Sequence, residues 1–390
     1  MKIVIAPQGF KGNLSARQVG QAIASGVERV VTRAVTIIKP MADGGEGTVQ
    51  ALVDATGGQT KAAEVTGPLG GRVTADWGIL GDGATAVIEM AAASGLSLVP
   101  PGKRNPLLTT TYGTGELILA ALDSGCRKLI IGIGGSATND GGAGMAQALG
   151  VRLLGSKGTA ISFGGAALAK LEHIDVSNLD PRLAHCDLLL ACDVNNPLCG
   201  PCGASAFYGP QKGATRAMVA RLDAALSHYA DVTQRDLGVD GRNVPGAGAA
   251  GGLGMALMVF LKAKMVSGIE FVIEATGLAK ELQDADLVFT AEGKIDSQTA
   301  CGKAPVGVAR KAKEFGLPVI ALAGEVADDY RVVYQHGVDA VLSIAPGPIT
   351  LGRSMAEAEK LLANTAEGAM RLFMCHKEGK RAKRSLHVQA

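Results

Sequence analysis

Short apolar runs alternate with amphipathic stretches at both ends of the chain. Residues 1–6 and 35–39 have the length and character of buried strands, and residues 16–31 between them repeat apolar positions with a helical period behind Ser15, a candidate N-cap. The pattern returns near the C-terminus, where it predicts strands at 286–290, 318–323 and 340–344 and helices at 303–315 and 355–373. Strands that alternate with helices predict a parallel sheet covered by helices on both faces.

The middle of the chain has a different texture. Residues 71–283 are dense in Gly and Ala and contain turns such as Pro100-Pro101-Gly102. We therefore predict an α/β fold in which residues 1–70 and 284–376 form a Rossmann-like parallel-sheet domain from both chain ends. A second α/β domain, residues 71–283, is inserted into it. Residues 377–390 are predicted to be a basic flexible tail.

Composition narrows the class of protein. The chain has 390 residues, of which 47% are hydrophobic and 19% charged, as expected for a globular protein with a large core. The net charge is +2, but the last fourteen residues carry five Lys or Arg and one Glu, so residues 1–376 carry −2. That body offers no basic field for nucleic acid.

The sequence predicts neither export nor a membrane span, and its cysteines do not suggest disulfides. The apolar N-terminus is too short for a signal peptide, and the longest uncharged run, residues 243–261, opens with a proline and clustered glycines that make a poor membrane span. Because no stretch makes a good membrane span, no membrane partner is expected. Seven cysteines, an odd number, suggest reduced thiols and hence a cytoplasmic protein. A homo-oligomer stays open, because no sequence feature argues for it.

A glycine loop follows the apolar residues 129–133. Its backbone N–H groups and the helix start behind it suit a phosphate or a carboxylate. The loop also matches Gly-x-Gly-x-x-Ala, but Arg152 and Lys157 follow where a dinucleotide site needs an acid, so anion binding is favoured over a nicotinamide site. The candidate binding residues here are Gly134, Gly135, Ser136, Thr138, Asn139 and Asp140.

Polar side chains also follow the apolar residues 187–191. Asp193 and Asn195 come directly after this predicted strand, at the sheet edge where open α/β folds bind ligands. Lys212 lies shortly downstream and adds a positive charge. A carboxylate, carboxamides and a lysine in so short a stretch indicate a catalytic or binding site.

Three further loops carry candidate chemistry. Lys294 and Asp296 follow the strand predicted at 286–290, where Lys294 suits phosphate charge and Asp296 suits a metal or a hydroxyl; a solvated turn is the alternative. Asp43 lies near a helix start, where an acid also complements the helix dipole. Lys11 follows the first strand.

Gly251 and Gly252 belong to a second glycine cluster, residues 245–254. Because no strand precedes the cluster, a loop with a close-packed helix start competes with a nucleotide contact. No Gly-x4-Gly-Lys-Ser/Thr motif occurs, and the protein-kinase motifs are absent as well, so neither class of ATP-using enzyme is indicated.

Several specific blocks follow one another along the chain: Ala6-Pro7, Phe10-Lys11-Gly12, Met41-Ala42-Asp43-Gly44-Gly45-Glu46-Gly47-Thr48, the 134–142 loop, the Asp193 block, 248–254 and Glu292-Gly293-Lys294-Ile295-Asp296. In this order they resemble the type-one glycerate kinase family, from Met1 to about Phe373. One pair of residues departs from the family pattern: Gln8-Gly9 stands where the family usually has Asp-Ser, which alters any metal or substrate contact there.

The resemblance implies a mechanism in which ATP phosphorylates D-glycerate, mostly at the 2-hydroxyl to give 2-phosphoglycerate. Asp193 matches the family's catalytic aspartate and would be the general base, with Asn195 orienting the acceptor. Lys294, Lys212 and Lys11 would stabilise phosphate charge. Asp296 and Asp43 would hold Mg²⁺. The 134–142 loop would bind either phosphate or the glycerate carboxylate.

Two other classes remain in competition. A NAD(P)-dependent reductase acting on a small hydroxy acid would bind a nicotinamide cofactor and would not depend on ATP. A catalytically silent relative would bind glycerate or ATP without turnover, and Gln8-Gly9 is the feature that supports it.

Overall fold

The computed structural model describes residues 1–10 and 12–387, without the side chains of Cys301 and residues 376–387. The chain divides into two compact units. The first, here the terminal unit, comprises residues 1–42 and 272 onward; the second, the middle unit, comprises residues 43–271.

The strands carry the following labels in chain order: β1 (Lys2–Pro7), β2 (Val35–Ile38), β3 (Gln59–Thr66), β4 (Arg72–Ile79), β5 (Thr85–Glu89), β6 (Lys128–Gly132), β7 (Arg152–Leu154), β8 (His173–Asp175), β9 (Asp187–Ala191), β10 (Lys264–Val266), β11 (Leu287–Ile295), β12 (Val319–Val326) and β13 (Ala340–Ser343).

The helices are α1 (Ala16–Glu28), α2 (Thr48–Thr56), α3 (Met90–Ser94), α4 (Tyr112–Asp123), α5 (Ala143–Ala148), α6 (Ala204–Tyr208), α7 (Arg216–Leu237), α8 (Ala249–Leu261), α9 (Gly268–Ala275), α10 (Leu278–Leu282), α11 (Ala304–Lys313), α12 (Leu351–Ala356) and α13 (Ala358–His387). Short 3₁₀ helices occur at Leu96–Leu98, Pro101–Lys103, Gly165–Lys170, Pro181–His185, Pro210–Lys212, Ser297–Cys301 and Tyr330–His336.

A five-stranded parallel sheet, in the order β13-β12-β11-β1-β2, forms the centre of the terminal unit. Its central strands are apolar: Ile3, Ile5 and Phe289 are fully buried and pack in one core with α1. Pro7 pairs with Ala291, so the carboxyl end of β1 lies beside the middle of β11, which continues to Ile295. The predicted α/β class with a Rossmann-like parallel sheet is confirmed.

The middle unit contains a six-stranded sheet in the order β10-β9-β6-β5-β4-β3. Strands β10, β9, β6 and β5 are parallel, and β4 and β3 are antiparallel to their neighbours. A separate antiparallel pair joins β7 and β8. The carboxyl ends of β5, β6 and β9 therefore lie side by side.

The unit boundaries differ from the predicted ones at 70/71 and 283/284. A cut after residue 70 would separate β3 from β4, which pair along their whole length from Gln59 opposite Ile79 to Thr66 opposite Arg72. This hairpin adds the antiparallel strands to the middle sheet, so residues 43–70 belong with it.

The C-terminal helix also differs from the prediction. α13 continues to His387, so most of the segment predicted as a flexible tail, residues 377–390, is helical, and residues 388–390 lie outside the described residues. Lys, Arg and Ala, which dominate this segment, are good helix formers. Across the part of the chain that the structure describes, no helix has the length and apolar character needed to cross a membrane.

Candidate active site

Asp193 lies two residues beyond the end of β9 in the middle unit. Its Oδ1 accepts a hydrogen bond of 3.0 Å from the Gly268 N–H, while its Oδ2 is buried without a hydrogen-bond partner among the described residues. Burial raises the pKa of Asp193 above its ordinary value and the charge of Asp43 adds to this rise, whereas the Ser267 hydroxyl and the N–H groups of Gly268 and Ile269 oppose it. A half-buried carboxylate with one unpartnered oxygen is suited to accept a proton.

Asp43 lies next to the same glycine. A Cβ atom placed on Gly268 would be 2.5 Å from the Asp43 carbonyl oxygen and 3.0 Å from Asp193 Oδ2. The Asp43 Oδ1 accepts a long hydrogen bond of 3.3 Å from the Gly45 N–H. Two acids that are 150 residues apart in sequence, the predicted base and a predicted metal ligand, are thus brought together.

The loop that carries Asp43, here called the acidic loop, crosses the ends of β6 and β9 at close range. A Cβ atom on Gly132 would lie 2.4 Å from the Gly44 carbonyl oxygen, a distance no side chain tolerates. Gly44 itself has a φ of +83° and faces the carbonyl of Ala191. The glycine that ends β6 therefore has a structural reason: it lets the acidic loop pass over the sheet.

Glu89 is a residue that the sequence reasoning missed. It ends β5 beside Gly132 in the register, and its Oε1 accepts a 2.7 Å hydrogen bond from the Val49 N–H in the first turn of α2. Burial raises the pKa of Glu89 to about 7, and the charge of Glu46 adds to this rise. The available signal was an acid that ends an apolar run, the same pattern that singled out Asp193.

Lys212 lies beneath the 134–142 loop and is 1% exposed. Its Nζ donates hydrogen bonds of 2.7 Å to Ser136 Oγ and 2.7 Å to the Thr138 carbonyl oxygen. Burial lowers the pKa of Lys212 to about 7, against the opposing charge of Asp140. Three of the predicted binding residues are thus brought together, with the amine bound to the loop itself.

Asp140 and Asn139 are also committed to internal contacts. Asp140 Oδ2 accepts from the N–H and the hydroxyl of Thr111, at 2.8 and 2.9 Å, and burial raises the pKa of this carboxyl. Asn139 Nδ2 donates to Ser205 Oγ at 2.9 Å, while its buried Oδ1 has no partner within the described chain. The accessible part of the loop is the backbone of Gly134, which is half-buried, and Gly135, which is exposed.

Gly251 and Gly252 support this loop from behind. Both have positive φ, +73° and +94°, and the Gly251 carbonyl accepts from the Gly141 N–H at 2.9 Å. A Cβ atom on Gly251 would lie 2.0 Å from the Thr138 carbonyl oxygen. The two loops pack so closely at Gly251 that a side chain would not fit between them.

Asn195, the remaining candidate of the middle unit, is exposed two residues beyond Asp193.

In the terminal unit, Lys294 lies inside β11 rather than after it. The predicted strand ended at residue 290, but the ladder with β12 continues and pairs Lys294 with Glu325. Lys294 Nζ lies 2.8 Å from Glu325 Oε1, and this hydrogen bond raises the pKa of Lys294. The sequence predicts that the strand ends at residue 290 and that Lys294 follows it, because a cross-strand ion pair is not visible in one sequence.

Asp296 caps the 3₁₀ helix Ser297–Cys301, its Oδ1 accepting from the N–H groups of Gln298 and Thr299 at 3.0 and 3.3 Å. One of its oxygens is therefore already engaged. Close by, Glu292 accepts from the Thr299 hydroxyl at 3.0 Å and lies 3.2 Å from Lys303 Nζ. The sequence predicts no individual role for Glu292, Thr299 or Lys303, although Glu292 belongs to the same family block as Lys294 and Asp296.

Lys11, the other candidate of the terminal unit, lies outside the described residues. Among the residues that are described, no group of three or more His, Cys, Asp or Glu side chains could by itself hold a metal ion. One or two carboxylates completed by ligand oxygens and water are a common arrangement for Mg²⁺.

Comparison with known proteins identifies close relatives along the whole chain. A sequence profile described as the Glycerate kinase family matches residues 3–374. Glycerate kinase of Haemophilus influenzae is 55% identical over 373 residues, covering 96% of this chain and 99% of that protein. Glycerate 2-kinase of Escherichia coli K12 is 57% identical over 358 residues, with 92% and 94% covered. A crystal structure of a Salmonella typhimurium LT2 protein, provisionally named glycerate kinase 2, superposes with a TM-score of 0.86 at 51% identity, covering 97% and 99%.

Proposed function

From the premise that this chain belongs to the glycerate kinase family, we propose that it transfers the γ-phosphoryl group of ATP to the 2-hydroxyl of D-glycerate and releases 2-phosphoglycerate and ADP. The position of transfer follows the Escherichia coli relative, whose name specifies a 2-kinase. The observation that carries the proposal is the carboxylate of Asp193, with one buried oxygen unpartnered in the described structure, at the carboxyl end of a parallel strand.

The proposed reaction uses Asp193 as general base. The 2-hydroxyl oxygen bonds to the γ-phosphorus, the bond to the β–γ bridging oxygen breaks, and the hydroxyl proton passes to Asp193 Oδ2. The raised pKa of Asp193 favours this acceptance. Asn195 would orient the acceptor, because its exposed carboxamide follows the base by two residues.

Phosphate charge requires cations and N–H donors. We assign Lys294 and Lys11 to this role in the terminal unit and the exposed backbone at Gly135 to it in the middle unit. Lys212 would act through the loop, since its amine is already bound to Ser136 and Thr138. The 134–142 loop would accept a phosphate or the glycerate carboxylate.

The acids fit Mg²⁺ as a partial ligand set. The Asp193 carboxylate and the backbone carbonyl of Asp43 lie against the same glycine, and the charge of Asp43 acts on Asp193. One or two carboxylates completed by phosphate oxygens and water suit this ion. Asp296 is the further candidate, although helix capping engages one of its oxygens. When bound, Mg²⁺ neutralises charge on the β- and γ-phosphate oxygens.

A coupled assay tests the proposed product. The purified chain is incubated with D-glycerate, ATP and Mg²⁺, and product is detected with enolase in the presence or absence of phosphoglycerate mutase. Signal without mutase supports phosphorylation at the 2-hydroxyl. Signal only with mutase would assign the 3-hydroxyl, and no ADP formation at all would reject the proposal.

Substitution of Asp193 tests the base. Asp193→Asn keeps the size of the side chain but removes its ability to accept the proton, so kcat should fall by about 10²–10⁴-fold. Asp187→Asn is a matched control, because Asp187 is an exposed acid at the opposite end of the same strand, and its activity should be unchanged. Near-normal turnover of Asp193→Asn would contradict the assignment.

We also propose that the enzyme acts in the cytoplasm. The support is the odd number of cysteines, seven, which suggests reduced thiols. Cell fractionation of the natural host, followed by activity measurement, would test it.

A further inference from the structure

Glu89 is held in an arrangement that connects it to the acidic loop. Its carboxylate is bound to the Val49 N–H at the start of α2, 2.7 Å away. Free N–H groups at a helix start carry partial positive charge, so they are a favourable partner for a carboxylate. The side chain comes from β5, a strand buried in the middle sheet, so it ties the start of α2 to the rigid part of the unit.

A chain of hydrogen bonds runs from this point to Asp43. Thr48, next to Val49, donates from its hydroxyl to the Gly45 carbonyl at 2.6 Å. The Gly45 N–H in turn contacts Asp43 Oδ1 at 3.3 Å. The other end of the loop is fixed by the close approach of Gly44 to the strand ends of β6 and β9. Segment 43–49 is therefore held at both ends, and at the α2 end it is held by the side chain of Glu89.

We propose that Glu89 is a positioning residue that keeps Asp43 beside Asp193 by anchoring the start of α2. The inference rests on the proposed function for its catalytic consequence, because Asp43 is there a ligand for Mg²⁺. It goes beyond that function, because Glu89 contacts neither the substrate nor the metal in the proposed reaction. Loss of the anchor should weaken metal activation more than it weakens glycerate binding.

The surroundings of Glu89 also predict how the anchor responds to pH. The charged side chain that acts on it is Glu46 of the same loop, and the other contributions come from N–H groups of residues 47–49. Because burial raises the pKa of Glu89 from 4.5 to about 7, the anchored state holds a proton that the released state loses. The anchor should therefore weaken as the pH rises from about 4.5 to about 7 and stay constant above that range.

Hydrogen exchange of the full-length protein tests the anchor without requiring turnover. Glu89→Ala removes the acceptor, so amide exchange in segment 43–52 should accelerate about tenfold, as expected for the loss of one hydrogen bond to a carboxylate. Glu89→Gln keeps an acceptor oxygen and should restore protection. The pH dependence of protection between 5 and 7, corrected for intrinsic exchange, should be present in the wild type and absent in Glu89→Gln.

The matched control is Glu116→Ala. Glu116 also accepts from a backbone N–H, that of Thr66, in the same unit, so it reports the general effect of removing such a bond. Exchange in segment 43–52 should not change in this variant.

In the kinetic experiment, Glu89→Ala should raise the Mg²⁺ concentration needed for half-maximal activity about tenfold and leave KM for glycerate within a factor of two.

The possible outcomes distinguish the positioning role of Glu89 from the proposed function. Unchanged exchange in Glu89→Ala would overturn the positioning role, whatever the activity. Accelerated exchange with an unchanged Mg²⁺ requirement would also overturn it, because the anchor would then be structural only. If the wild type formed no phosphoglycerate while exchange changed as expected, the proposed function would fail and the anchoring of the loop would stand.

Discussion

At the scale of single residues, Gln8 is a buried polar side chain to which no function is assigned. It follows β1, is 3% exposed, and neither its Oε1 nor its Nε2 has a hydrogen-bond partner in the described part of the chain. Burying an unpaired amide costs free energy. Gln8→Met, which keeps the length and removes the polar atoms, should therefore raise the free energy of unfolding by about 1–2 kcal/mol.

Urea unfolding measures this effect. Gln21→Met is the control, because Gln21 is exposed on α1 and its replacement should change stability by less than about 0.5 kcal/mol. A loss of stability in Gln8→Met would mean that the amide is satisfied in solution. Gln8 also stands where the related family usually has an acid, so a stabilised Gln8→Met variant would indicate that something other than stability retains the amide.

Lys212 gives a residue-scale prediction with a defined pH window. Its pKa is lowered from 10.5 to about 7 by burial, so between these values the unfolded chain binds more protons than the folded one. Stability should rise with pH from about 7 to about 10.5 by up to about 1.4 kcal/mol per pH unit from this group. Lys212→Met should flatten the rise in urea titrations at pH 7.5–9.5, whereas the exposed Lys170→Met should keep it.

At the scale of elements, the crossing of the acidic loop over β6 can be tested directly. Gly132→Ala adds a methyl group 2.4 Å from the Gly44 carbonyl oxygen, so the loop or the strand end must shift. We expect a loss of about 1–3 kcal/mol in stability and a larger loss of activity than stability alone explains. Gly102→Ala is the control, since its added atom would meet nothing within 4 Å. Unchanged activity in Gly132→Ala would show that the crossing does not position Asp43.

The elements also show what one sequence can and cannot predict. Apolar periodicity located β1, α1 and β2 within a few residues, because buried faces determine these segments locally. It ended β11 too early, since the pairing of Lys294 with Glu325 depends on a neighbouring strand. Glycine and acid patterns located the loops of the candidate site. They could not reveal that Glu89 binds the start of α2, because that contact joins residues 40 positions apart.

At the scale of the whole molecule, each unit has a core of its own. Phe289 is fully buried in the core of the terminal unit, and Leu226 is fully buried in that of the middle unit. Phe289→Ala and Leu226→Ala should each cost about 3–5 kcal/mol in the unit that contains them. Hydrogen exchange should show lost protection in β1 and β11 for the first variant and in β6 and β9 for the second. The reverse pattern would contradict the division into units.

The discontinuous terminal unit has a consequence for synthesis on the ribosome. β1 is translated before the middle unit, yet its partner β11 begins at Leu287, after the entire middle unit has been made. Until then one edge of an apolar central strand stays unpaired, which is the condition under which strands associate with the wrong partners. The nascent chain therefore exposes this edge of a six-residue apolar strand while the middle unit is synthesised, and we expect chaperones to bind β1 during that time.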